Sequence, residues 1–213
     1  SPNRIVSVRN PYFPFVDTKG NQLPYIDKVI RHKANDNEMI SAKASTGEAT
    51  VAGNNLEVTD IPLYKKNEDQ AGYNTLLFAA GYSNWLSIQP NLTHKDEQLR
   101  ELFQDLRFRK ALSYAINREN INEKIFYGRA EARQSTVLPQ NKYFKEEYAD
   151  AYIEYKPETA KNLLDEIGLT DQNGDGYRDL PDGENFNPEL IFMAGEGPKT
   201  QMLELISNDW RKI

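Results

Sequence analysis

The chain has 213 residues, 38% of them hydrophobic and 27% charged, enough material for one large domain or two smaller ones with real cores. Asp and Glu outnumber Lys and Arg by 32 to 26, a formal net charge of -6, so no basic excess exists to neutralise nucleic-acid phosphates or an anionic membrane. Cysteine is absent, which excludes disulfides, thiolate metal centres and cysteine nucleophiles.

"NRIVSV" (3–8) and "YIDKVIRH" (25–32) alternate and are rich in β-branched residues, so both read as strands. Between them, "RNPYFPFVDTKGNQLP" carries Pro11, Pro14 and Pro24 with Gly-type turn signals, and reads as a loop. "NEMISAKASTGEA" (37–49) predicts a short helix ending at Gly47, whereas "EVTDIPLYKKNEDQAGY" (57–73) reads as polar and irregular. "NTLLFAAG" (74–81) and "NWLSIQ" (84–89) predict a strand pair or one bent strand.

The strongest helical signal is "DLRFRKALSYAIN" (105–117). Phe108, Ala111, Leu112 and Ala115 fall at i, i+3, i+4 and i+7, on one apolar stripe, with Asp105 at the positive helix end. "RENINEKIFYG" (118–128) follows as a helix closing on Gly128, and "EARQSTVLPQNKYF" (131–144) reads as extended chain. In "KPETAKNLLDEIG" (156–168) the stripe recurs as Ala160, Leu163, Leu164 and Ile167, with Pro157 in the first turn and Gly168 at the C-cap. "PELIFMA" (188–194) predicts a strand, and a last helix from Pro198 turns Leu203, Ile206, Trp210 and Ile213 inward. Helix, loop, strand, helix is α/β grammar.

Catalytic constellations are missing. His32 and His94 lie far apart and outside any metal-ligand spacing. "GYSNW" (81–85) has Trp85 where a nucleophile elbow requires glycine, and "GEGPKT" (195–200) lacks the four-residue gap of a phosphate loop. Adjacent acids such as Glu146/Glu147 and Asp165/Glu166 point to different sides of a helix. A non-enzymatic protein is expected.

One run has metal-ligand spacing. In "DQNGDGYRDLPD" (171–182), side-chain oxygens fall at positions 1, 3, 5, 9 and 12: Asp171, Asn173, Asp175, Asp179 and Asp182. Gly176 sits at position 6, and Tyr177 can offer its carbonyl at 7, the pattern of a calcium loop. Asp in place of Glu at position 12 and the break at Pro181 and Gly183 limit calcium to a structural brace rather than a sensor. A turn rich in Asx and Gly, with solvated carboxylates, is the alternative.

Three stretches in this order carry a family resemblance: "RNPYFPFVDTKGNQLPYIDKV", "LRELFQDLRFRKALSYAINRENI" with its trailing "YGRA", and "KPETAKNLLDEIGLTDQNGDGYRDLPDG". The chain resembles the extracellular solute-binding proteins of the oligopeptide- and dipeptide-binding family, which feed ABC importers. Two positions depart from the family pattern: Thr50 follows "TGEA" where Asp is usual, and Lys156 stands where an N-capping Asp precedes Pro-Glu.

The resemblance implies a two-lobed α/β fold of the periplasmic-binding-protein type, present here only in part, a mixed sheet with flanking helices. Residues 1–128 would belong to the larger, discontinuous lobe and 129–213 would begin the second. Both ends look cut, "SPNRIV" opening directly on a strand and "WRKI" closing without a cap, so a fragment of a longer protein is expected. "YSNWLSIQ" (82–89) matches the family's strand along the cleft, which implies Trp85 as a flat apolar wall with Asn84 and Gln89 as amide hydrogen-bonders. A core position for Trp85 is the alternative.

The implied function is capture of short peptides for delivery to membrane permease subunits, by a monomer without cofactors other than a candidate calcium ion. The protein would be extracellular or periplasmic, anchored as a lipoprotein at full length. An oligosaccharide ligand, or a calcium-stabilised extracellular scaffold module, is the other reading.

Overall fold

The structure is a computed structural model and describes residues 4–78, 84–193 and 197–213. The chain forms two compact units, residues 1–75 and 76–213. Helices from both sides of Gly128 share one core in the second unit.

In the first unit, β1 (Arg4–Val8) pairs antiparallel with β2 (Lys28–His32), Val6 opposite Ile30. The proline-rich connection is folded around Asp17. Its carboxylate accepts from the Lys19 and Asn21 amides at 2.8 Å, from Asn21 Nδ2 at 2.9 Å and from the Tyr25 hydroxyl at 2.6 Å. These donors, Tyr25 first, hold the Asp17 pKa well below the usual carboxylate range. A depressed folded-state pKa adds stability above the unfolded value of about 3.9, and that stability is lost as pH falls through the folded value. The Asp17 carboxyl 13C resonance is therefore expected to show no titration step near pH 4, and a midpoint there would contradict the staple.

α1 (Asn37–Ser45) starts on Asp36, whose side chain accepts from the Met39 amide at 2.7 Å. A 3-10 turn (Val58–Asp60) then leads into α2 (Ile61–Ala71). This helix corrects the irregular reading of residues 57–73. Its run of Lys, Asn, Glu, Asp and Gln is a solvated face, while Ile61 and Tyr64 are buried. Tyr64 meets buried Ser41 of α1 hydroxyl to hydroxyl at 2.7 Å. Gly47 closes α1 at φ +75, and a Cβ there would stand 2.6 Å from the Ala71 carbonyl oxygen, so the α1–α2 approach requires glycine.

The second unit is built on helices: α3 (Glu97–Gln104), α4 (Leu106–Tyr114), α5 (Arg118–Phe126), the single turn α6 (Glu146–Ala149), α7 (Pro157–Glu166) and α8 (Lys199–Trp210). The two predicted stripes pack on each other. Phe108, Ala111 and Ala115 meet Ala160, Leu164 and Leu169 in the core, with Leu112, Leu163, Ile167, Trp210 and Ile213 packed around it. Asp105 caps α4, accepting from the Arg107 amide at 2.7 Å, and the Arg107 guanidinium lowers its pKa. α7 begins at Lys156 with no side-chain cap bond, the cost of the departure from Asp.

α3 is marked in the sequence only by Asp96, whose side chain accepts from the Leu99 amide at 2.9 Å, and by Leu99, Leu102 and Phe103 on one face. The predicted strands are corrected at 74–78, 84–89 and 188–193, which form no ladder among the described residues; residues 79–81 and 194 lie outside them. A strand is completed by its neighbour, and sequence pattern supplies only one side of that bond. Among the described residues no helix is long and apolar enough to cross a membrane.

Candidate functional site

Residues 84–90 form no ladder and bend at Trp85, and their burial alternates with a period of two. Trp85, Ser87 and Gln89 are the exposed set, whereas Asn84, Leu86 and Ile88 are partly covered. The three predicted ligand residues therefore divide: Trp85 and Gln89 share a face, and Asn84 belongs to the other, where its Oδ1 accepts from Ser135 Oγ at 3.2 Å. Residues 82 and 83 of the predicted strip lie outside the described residues.

Trp85 is 37% exposed, its ring backed by Phe126 at 6.0 Å between centroids. It is neither core nor free, but a supported aromatic ledge. Phe126 was not anticipated as its backing, since the two are brought together only by the fold; the one local hint was Phe126 in the last turn of a predicted helix. Every side chain from 84 to 90 is uncharged. A surface of one indole, one hydroxyl and one primary amide can stack on a flat or apolar group and exchange hydrogen bonds with neutral polar ones.

In the same unit a polar hub ties α4 and α5 to Gln134 and to residues 151–153. Arg118 Nη1 donates to the carbonyls of Ser113 at 2.8 Å and Ile153 at 3.1 Å, and its Nη2 donates to Ser113 Oγ at 2.8 Å. Ser113 Oγ donates to the Tyr152 carbonyl at 2.7 Å and accepts from Gln134 Nε2, which also reaches the Ala151 carbonyl at 2.8 Å. Burial pulls the Arg118 pKa below the usual arginine range, yet the guanidinium stays charged and commits its donors to carbonyl oxygens.

The 171–182 loop is closed by its own amides. Asp171 accepts from Gly174 at 2.6 Å and Gly176 at 2.9 Å, and Asp175 from Tyr177 and from Asn185 Nδ2, each at 2.8 Å. Asp179, 0% exposed, turns inward to the Gln172 amide at 2.7 Å and Asn173 Nδ2 at 3.3 Å. Asp182 is drawn away to Gln98 Nε2 of α3 at 2.6 Å and to the Glu184 amide at 3.1 Å. Asn173 Oδ1 accepts from the Asp175 amide, and the Tyr177 side chain is exposed.

The six predicted calcium ligands are thus not gathered into a cage. No group of three or more His, Cys, Asp or Glu among the described residues could hold a metal. The donor spacing instead builds successive Asx turns. A bridge between Asp179 and Asn185 then closes a hairpin, so the donor set does not fit a calcium ion.

Comparison with known proteins decides the family. The description "Bacterial extracellular solute-binding proteins, family 5 Middle" matches residues 1–213. The chain belongs to this family. A periplasmic alpha-galactoside-binding protein of Rhizobium meliloti is 29% identical over 84% of the chain and 27% of its own length. Oligopeptide-binding protein AppA of Bacillus subtilis is 25% identical over 89% and 32%. Among solved structures, an oligopeptide-binding protein OppA superposes with a TM-score of 0.66 at 37% identity, covering 99% of this chain and 34% of that one.

The chain thus spans about a third of the length of these relatives. The fold is the periplasmic-binding-protein type, present in part, as the order of motifs implied. Family 5 is a family of binding proteins, and the non-enzymatic reading rests on that membership.

Proposed function

We propose that this chain is part of the receptor of an ABC importer that captures a short peptide in extended form and passes it to membrane permease subunits without chemical change. The receptor works outside the cell or in the periplasm, as a monomer anchored by a lipid at full length. In this reading residues 1–128 belong to the larger lobe, 129–213 begin the second, and the 84–90 strip lines the ligand cleft.

The observation that carries the reading is the supported, uncharged ledge of Trp85 with Ser87 and Gln89 on its side. A neutral extended surface suits a ligand bound through its backbone amides, with selectivity left loose. Oligosaccharide is the second reading, favoured by the half-exposed indole, on which a sugar ring can stack. Relatives of both kinds support keeping both ligand classes in one test.

Calorimetric titration of the intact protein with a tetra- and pentapeptide pool, and separately with a neutral tetrasaccharide, separates them. Saturable heat is expected with the peptides, and Trp85→Ala is expected to weaken it about tenfold, or ~1.4 kcal/mol. Heat with the tetrasaccharide alone would overturn the peptide assignment.

A further inference from the structure

The 171–182 hairpin holds a reactive pair within its turns. Asn173-Gly174 is the only Asn-Gly step in the chain, and both residues are exposed. Glycine has no Cβ to keep its nitrogen away from the preceding side chain, so such a step can close into a cyclic imide.

The hairpin prepares one half of that reaction and withholds the other. Asn173 Oδ1 already accepts from the Asp175 amide at 2.8 Å, a donor placed where negative charge would gather on the attacked side chain. The attacking nitrogen is restrained. Gly174 N–H donates to Asp171 Oδ1 at 2.6 Å, and the other oxygen of that carboxylate takes the Gly176 N–H at 2.9 Å. Loss of the Gly174 proton would set negative charge against a carboxylate, which opposes it. Asn173 Nδ2, the leaving group, is tied to Asp179 Oδ1 and Asn185 Oδ1, each at 3.3 Å. The Asp-Gly steps at 175–176 and 182–183 are not equivalent, because an ionised carboxylate resists attack. Asn185 Nδ2 at Asp175 and the Glu184 amide at Asp182 hold both pKa values below the usual carboxylate range.

We propose that Asn173 is a self-modification site gated by Asp171. When that carboxylate lets go, the Gly174 nitrogen bonds to Asn173 Cγ, the Cγ–Nδ2 bond breaks, and ammonia leaves with the amide proton. Water then opens the imide to aspartate or isoaspartate, with nothing oxidised or reduced. Aspartate sets a carboxylate where Nδ2 stood, against the fully buried Asp179 and the side-chain oxygen of Asn185. Isoaspartate adds a methylene to the backbone of the turn. Either product loosens the hairpin. None of these residues belongs to the 84–90 strip, so failure of this site leaves the receptor reading untouched.

The test is incubation of the intact protein in mildly alkaline buffer, native and in urea, with peptide mapping and enzymatic isoaspartate labelling at residue 173. Conversion is expected in urea and at least about tenfold slower in the native protein, where the hairpin must first open. Asp171→Ala is expected to speed native conversion about fivefold, the effect of one lost hydrogen bond, and Asn173→Gln to abolish it. In Asn173→Asp, a mimic of the product, the Gly174 and Gly176 amides are expected to exchange faster while those of α4 and α7 keep their protection. Equal conversion in native and urea samples, no acceleration in Asp171→Ala, or unchanged Gly174 and Gly176 exchange in Asn173→Asp would each overturn the proposal.

Discussion

Phe108→Ala is expected to destabilise the second unit by about 3–5 kcal/mol, the range for truncating a buried aromatic. Phe108 is 2% exposed and sits where α4 meets α7. Its ring lies 5.7 Å from those of Phe103 and Phe186, the latter edge-on at 87°, so truncation removes both contacts together with the transfer energy. Three residues of the same core, Ala111, Ala115 and Ala160, have no side-chain length with which to fill the void. Urea unfolding of the intact protein, followed by the fluorescence of Trp210 on the same core, reads the effect. A loss below about 1 kcal/mol would contradict the packing described.

Arg118→Met is the second large effect, about 2–3 kcal/mol, because it strips charged donors from partly buried carbonyl acceptors. The methionine keeps most of the apolar stem, so the loss reports the hydrogen bonds to Ser113 and Ile153 rather than volume. Arg118→Lys is expected to recover less than half, since a single ammonium cannot reproduce the guanidinium fork that spans the Ser113 carbonyl, Ser113 Oγ and the Ile153 carbonyl. The 149–153 turn, held to α4 through Ser113 and Gln134, should then exchange its amide hydrogens faster than the α4–α7 core. Unchanged exchange and unchanged stability in Arg118→Met would show that the hub does not hold this turn.

How much of this was legible in the sequence depended on whether the information was local. The α4 and α7 stripes were readable because a helix satisfies its own backbone, leaving only its apolar face to be matched. The α8 face was read correctly for the same reason: Leu203 and Ile206 are buried, and Trp210 donates through Nε1 to the Leu112 carbonyl at 3.0 Å. α2 was missed because two buried residues, Ile61 and Tyr64, were outnumbered by the polar face around them. Segments 74–78 and 188–193 have strand composition but form no ladder among the described residues, since composition supplies only one side of a pairing.

At the site, the oxygen spacing of 171–182 builds the Asx turns that were the alternative to a calcium brace. What turns Asp182 is Gln98, 84 residues away, a partner that no loop pattern reveals. Likewise Trp85 was legible as an aromatic on an extended strip. Its support by Phe126 and the placement of Asn84 on the opposite face, against Ser135, were fixed by tertiary contacts.

The receptor reading is tested most simply by native mass spectrometry of the intact protein purified without denaturation, with tandem sequencing of whatever is released on unfolding. A peptide receptor should carry a heterogeneous set of short peptides, one per protein molecule, depleted in Trp85→Ala. Release of an oligosaccharide or of a metal chelate instead, or identical peptide occupancy in Trp85→Ala, would contradict it.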